Sequence, residues 1–187
     1  MSNYQVSKQF KNLDISALPM GEYEDCVFTG CIFSDANLSN YIFADSDFIQ
    51  CDLSNAKLSS CAFRDVKFKD CKMMGLHFDE CNTFSLSFSF DTCVLDYSSF
   101  YKLKIKKTAF KNCRMTEVDF TETNLREASF DNSELSGAIF MRSNLEMADF
   151  RWAINFSINP QENSIRKARF LSTGLAGLLQ NHQIVIE

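Results

Sequence analysis

Glycine and proline are scarce in this chain of 187 residues, at 6 and 2, and there are only 1 tryptophan and 2 histidines. Their scarcity excludes collagen-like and low-complexity chains and argues against a loop-rich fold. No apolar run approaches the ~20 residues that a membrane helix needs, so no membrane association is expected. The opening MSNYQVSKQFKNLDIS has no basic start followed by an apolar run, so no secretory signal is expected and the default compartment is cytoplasmic. In that reducing setting a disulfide scaffold is not expected either. What the chain does have is 19 phenylalanines and 8 cysteines, within a hydrophobic content of 45% and a charged content of 23%. Those values fit a globular chain of one or two domains.

Phenylalanine and cysteine become regular when the sequence is written in fives: CVFTG, CIFSD, ANLSN, YIFAD, SDFIQ, CDLSN. A large apolar residue takes the central place, i, from Leu13 to Phe88, and again from Leu95 to Phe150 in a register displaced by two. Of these 28 pentapeptides, 14 have Phe at i and 9 have Leu, and only Thr83 is not apolar. Small residues stand at i−2, and all eight cysteines fall there: Cys26, Cys31, Cys51, Cys61, Cys71, Cys81, Cys93 and Cys113.

A period of five suits neither an α-helix nor a long strand, but it suits short strands joined by regular corners. Residues two apart in an extended segment face the same way, so i−2 and i point inward and i−1 points out. The next two residues turn the corner and are free to be polar. Four sides close a coil of 20 residues, and coils stack through parallel ladders. The expected architecture is therefore all-β, a parallel quadrilateral β-helix of about seven coils over residues 13–150, after a lead-in at 1–12. Here the chain resembles the pentapeptide-repeat family, whose pattern is A(D/N)LXX. ANLSN, CDLSN, TNLRE, SNLEM and ADFRW carry that resemblance, which implies a right-handed helix.

Two places interrupt the pattern. In CNTFSLSFSFDTC, residues 81–93, two extra residues make a bulge. Either Phe84 faces solvent, or Phe84, Phe90 and Leu95 all point inward with six-residue steps. Such a bulge is either a tolerated insertion or a contact site, so Phe84 and Phe90 are candidate bulge residues. After Phe150 the fives stop, and residues 151–187 form a separate C-terminal segment in which Trp152 and Phe156 are placed to cap the tube. KARFL is one more repeat-like piece. Ser172 is the expected cap of a short helix with Leu171, Leu175, Leu178 and Leu179 at i, i+4, i+7 and i+8, and QIVIE reads as a strand. This apolar segment either folds back on the last coil or pairs with a second copy in a two-fold dimer, through Leu175, Leu178, Leu179, Ile184 and Ile186.

Net charge is −5, but its distribution is uneven. Residues 12–56 hold eight acids and no Lys or Arg, residues 101–114 hold six basic groups and no acid, and residues 115–149 return to acid. Positions 20 apart share a face, so Asp25, Asp45 and Asp65 form a column, with Glu22, Glu24 and Asp47 close to it. Glu117, Glu122 and Glu127 occupy corners of a later coil. Carboxylates spaced at about 5 Å give a potential like that of a phosphate backbone and would steer Lys- and Arg-lined clefts toward them. The plainer alternative is an acidic, solvated surface.

Catalysis needs a nucleophile, base or metal cluster in a cleft. His77 sits at an outward place and His182 in the tail, neither near a second ligand in sequence. The cysteine column reads as small core hydrophobes. No enzyme activity, metal or cofactor is expected.

The tail INPQENSIRKARFLSTGLAGLLQNHQIVIE is similar to that of one family branch, the quinolone-resistance proteins of the Qnr type, the mycobacterial fluoroquinolone-resistance protein and the immunity proteins for microcin and albicidin. That resemblance implies a homodimer formed through the tail and DNA mimicry toward DNA gyrase or topoisomerase IV, with no direct nucleic-acid binding. It implies protection against an inhibitor, whether a quinolone, a peptide toxin or another natural product. The chain departs from loop-bearing members in having no long loop and in its basic middle. The alternative is an interaction scaffold for a different protein.

Overall fold

The computed structural model describes residues 3–182 together with Ile184 and Val185. Eleven short strands make up the ladders: β1 (Asn3–Val6), β2 (Gln9–Lys11), β3 (Gly21–Glu24), β4 (Val27–Thr29), β5 (Ile42–Ala44), β6 (Asp47–Ile49), β7 (Ala62–Arg64), β8 (Val66–Lys69), β9 (Phe88–Asp91), β10 (Ala109–Lys111) and β11 (Ser129–Asp131). All pairings are parallel, between residues one coil apart, such as Phe28↔Phe48 and Phe43↔Phe63. One face is the sheet β1-β3-β5-β7, and the next is the seven-stranded sheet β11-β10-β9-β8-β6-β4-β2. Two further faces are held by single bridges, along Asp14, Ile32, Asp52, Lys72, Val94, Arg114, Glu134 and Ile154, and along His77, Ser99, Asp119 and Ile139. The result is the quadrilateral parallel β-helix that the period of five implies.

The interior follows the i and i−2 pattern. Phe10, Phe28, Phe48, Phe68, Phe90, Phe110, Phe130, Phe150 and Phe170 form one continuous stack, with centroids 4.6–5.4 Å apart. Offset stacking lets rings fill a narrow tube without voids. All eight cysteines are buried. Five of their thiols donate to backbone carbonyls of neighbouring coils, among them Cys51 to Phe28 O and Cys93 to Phe68 O at 3.4 Å each and Cys71 to Phe48 O at 3.3 Å.

The solenoid extends past both ends of 13–150. The segment expected as a lead-in already pairs, β1 with β3 and β2 with β4. Phe10 lies 18 rather than 20 residues before its stacking partner Phe28, which hid it from a count by fives. At the other end the bridges Asn144↔Ser164 and Asp149↔Arg169 continue two faces into the C-terminal segment.

The slip at 81–93 takes one feature from each sequence reading. Phe84 faces solvent, with 72% of its surface exposed, while Phe90 and Leu95 are buried. Phe88 does not hold an i place: it pairs with Val66, at i−2, and Phe90 pairs with Phe68. The second register therefore begins at Phe90.

The tail is corrected in three respects. Residues Ser172–Leu178 form a 3₁₀ helix preceded by Leu171, and Ser172 is its first residue rather than its cap. Phe156 is buried against Phe150 and Phe170, but Trp152 is 57% exposed and does not plug the tube. The described residues of the expected final strand, Ile184 and Val185, are not in a strand.

Candidate partner-binding face

Most corners place one residue in the left-handed region, and among the described residues 25 of these are not glycine. Asp25, Asp45 and Asp65 are three of them, with φ of 51°, 47° and 51°, following β3, β5 and β7. The amides of the first two are fixed by the next coil, Asp25 N–H donating to Ala44 O (3.1 Å) and Asp45 N–H to Arg64 O (2.8 Å). All three carboxylates therefore lie exposed along one edge of the first face. Ser7 Oγ donates to Asp25 (2.7 Å) and Ser87 Oγ to Asp65 (2.8 Å), which orients both without neutralising them. Glu22 and Glu24 stand on the same face in β3, where Tyr4 donates its hydroxyl to Glu24 and its own pKa is raised as a result. Asp47 lies in β6 on the adjoining face, beside Lys67 in the ladder.

Glu117, Glu122 and Glu127 are not an equivalent acidic set. They occupy three successive corners of one coil, and two of them are neutralised. Glu122 lies between Lys102 (3.6 Å) and Arg142 (2.8 Å), and the Arg142 hydrogen bond holds its carboxyl below the ordinary range. Glu127 meets Arg126 (3.1 Å) and Lys107 (3.8 Å). Among the described residues, every carboxylate paired with Lys or Arg lies between Asp91 and Asp149. The eight acids of residues 12–56 have no such partner among the described residues. The two acidic blocks look alike in composition, yet among the described residues the first has no carboxylate paired with Lys or Arg, while in the second Glu122, Glu127, Glu146 and Asp149 are paired and Glu117 is not.

The bulge places Phe84 over Arg64, whose guanidinium carbon is 5.9 Å from the ring centre. Arg64 had no special standing in the sequence, and its coil spacing to the bulge is the signal that would have found it. Phe90, the other candidate at the bulge, is a core residue and unavailable for contact. His77 is exposed, 3.5 Å from Asp79.

In the tail, Leu178 packs against the core, while Leu175, Leu179 and Ile184 are exposed. Ile186 lies outside the described residues. The segment is docked on its own last coil: Ile158 N–H donates to Gly177 O at 2.9 Å, and a Cβ at Gly177 would lie 2.4 Å from Phe156 O.

Fold and face together define a β-solenoid with a charged lateral surface. A family model described as pentapeptide repeat region matches residues 22–89 and 87–153, and the chain belongs to the pentapeptide-repeat family. Among solved structures it is similar to two trypsin-treated variants of QnrB1, a plasmid-mediated fluoroquinolone resistance protein. One has a TM-score of 0.67 at 16% identity, covering 99% of this chain and 100% of that one. The other has 0.64 at 19% identity, covering all of both chains. Full-length QnrB1 gives 0.51 at 18% identity over 97% of this chain and 100% of that one. These likenesses show the fold. No curated protein matches the chain.

Proposed function

We propose that this protein is a non-enzymatic, cytoplasmic DNA mimic that binds a type II topoisomerase, DNA gyrase or topoisomerase IV, and protects it from an inhibitor. The observation that carries this reading is the row of Asp25, Asp45 and Asp65, backed by Glu22 and Glu24, with no Lys or Arg paired to it among the described residues. Carboxylates repeating at about 4.8 Å on a rigid rod are suited to a groove lined with Lys and Arg, because stacked ladders hold the charges in place before the partner arrives. The same fold in QnrB1, described as a fluoroquinolone resistance protein, supports the choice of partner. The exposed Leu175, Leu179 and Ile184 support a homodimer through the C-terminal segment.

The test is a supercoiling assay with purified gyrase and topoisomerase IV across quinolones, peptide toxins and other inhibitor classes. The protein is expected to restore supercoiling against at least one class, and the triple variant Asp25→Asn, Asp45→Asn, Asp65→Asn to lose that effect. Absence of both binding and any change in supercoiling overturns the proposal.

A further inference from the structure

The acidic row does not run the length of its face. Past β7 the same face meets the bulge and then Lys102, Lys104 and Lys106, so a rod that is acidic at one end turns basic and aromatic at its middle. The ladder itself is open there. At equivalent places Ala62 N–H donates to Tyr41 O (2.8 Å) and Asn124 N–H to Leu103 O (2.8 Å), but Lys104 N–H has no such acceptor among the described residues. The two extra residues lift the backbone after Asn82 out of reach. Beside this break lies a cavity of about 320 Å³ lined by Thr83, Leu86, Lys102 and Lys104. The buried Nε of Arg64, under Phe84, also lacks a hydrogen-bond partner. Lys102 has Glu122 at 3.6 Å, while Lys104 has no carboxylate partner among the described residues.

We propose that this break is a second binding site, which takes an acidic segment of a protein partner carrying an aromatic or aliphatic side chain. The unpaired Lys104 N–H, the ammonium groups of Lys104 and of the Glu122-paired Lys102, and the Thr83 hydroxyl beside one cavity fit a carboxylate, and Phe84, next to Thr83 in the chain and exposed, supplies an apolar contact. Charge complementarity sets the occupant: a cation-lined cavity with an exposed aromatic rim matches Asp or Glu next to an apolar residue. A partner would then meet the rod through opposite charges at two heights, which fixes the direction of the rod on the partner as well as its face. The site stands on its own geometry and does not depend on the identity of the partner of the acidic row.

The probe is a fluorescein-labelled peptide, Glu-Leu-Glu-Phe-Glu-Leu-Glu, titrated with the full chain and followed by fluorescence anisotropy. Saturable sub-millimolar binding is expected, weakened about tenfold or more in Phe84→Ala and in Lys104→Glu, with Phe84→Tyr restoring it. Both positions are exposed, and unchanged melting of each variant confirms that folding is intact. Failure to bind, or binding that neither variant weakens, overturns the proposal. So does duplex DNA binding at Lys104 more tightly than the peptide, or self-association of the protein that Lys104→Glu abolishes.

Discussion

At Asp25 and Asp45 one residue must adopt the left-handed backbone, present a carboxylate and donate its amide to the next coil, and Asp65 shares the first two of these. Left-handed geometry costs an L-residue about 1–2 kcal/mol, and the stacked ladder offsets it. That accounts for the scarcity of glycine: beside Gly30, Gly75 and Gly137, most corners here use residues such as Asp, Asn, Ser, Lys and Glu, held by inter-coil hydrogen bonds rather than by glycine's freedom. Inside, a single ring carries much of the local stability. Phe110 is fully buried and stacks on Phe90 (5.3 Å) and Phe130 (5.1 Å). Phe110→Ala is expected to cost about 3–5 kcal/mol in urea unfolding, because the tube cannot collapse around the gap. Burial also makes the core sensitive to alkali. It pushes the Cys61 thiol well up and the Tyr23 phenol up to about 12. Both groups are therefore favoured neutral in the folded state. Their contribution is intact below the ordinary thiol and phenol range and is lost as pH rises from there through the folded values. Melting temperature measured from pH 8 upward should fall progressively beyond about pH 9, and Cys61→Ala should flatten the first part of that fall. A melting temperature that holds level to pH 12 would show that these groups stay protected and contribute nothing.

Among elements, the period of five was legible because it fixes which residues face inward, and composition at i and i−2 records that. Register was less legible. Phe88 and Phe90 are both buried phenylalanines, so composition cannot say which of them continues the stack, and the pairing of Phe90 with Phe68 decides it. Phe10 escaped notice because its step to Phe28 is two residues short. The acidic row was readable from positions 20 apart, and the same arithmetic applied to Lys102, Glu122 and Arg142 would have shown Glu122 to be paired. The C-terminal helix was read with α-helical spacing, but the segment is 3₁₀ and its placement is set by one close approach. Gly177 lies against the Phe156 carbonyl and ring, where a side chain has no room. Gly177→Val is therefore expected to detach residues 172–182 from the last coil without unfolding the solenoid. Hydrogen exchange would show lost protection at Ile158 and in this segment alone, and a global fall in stability would contradict a locally docked tail.

Across the whole molecule, stability is nearly one-dimensional, since each coil touches only its neighbours and the ends are where such a stack is exposed. Among the described residues no further coil covers the first turn, and the last is partly covered by Phe156 and the 3₁₀ segment. What that segment leaves open is apolar: Leu175 and Leu179 are 45% and 37% exposed, and Ile184 55%. Docking and dimerisation are therefore compatible, because Gly177 and Leu178 face the coil while Leu175 and Leu179 face away from it. This division sharpens the test of the dimer. Leu178→Arg would disturb the segment's own seat, so monomers from that variant would be ambiguous. Leu175→Arg with Leu179→Arg places charge only on the open side. The double variant is expected to sediment as a monomer with an unchanged melting profile of the coils, whereas the parent sediments as a dimer. If parent and variant sediment alike, the exposed leucines are not the interface and the tail is only a cap.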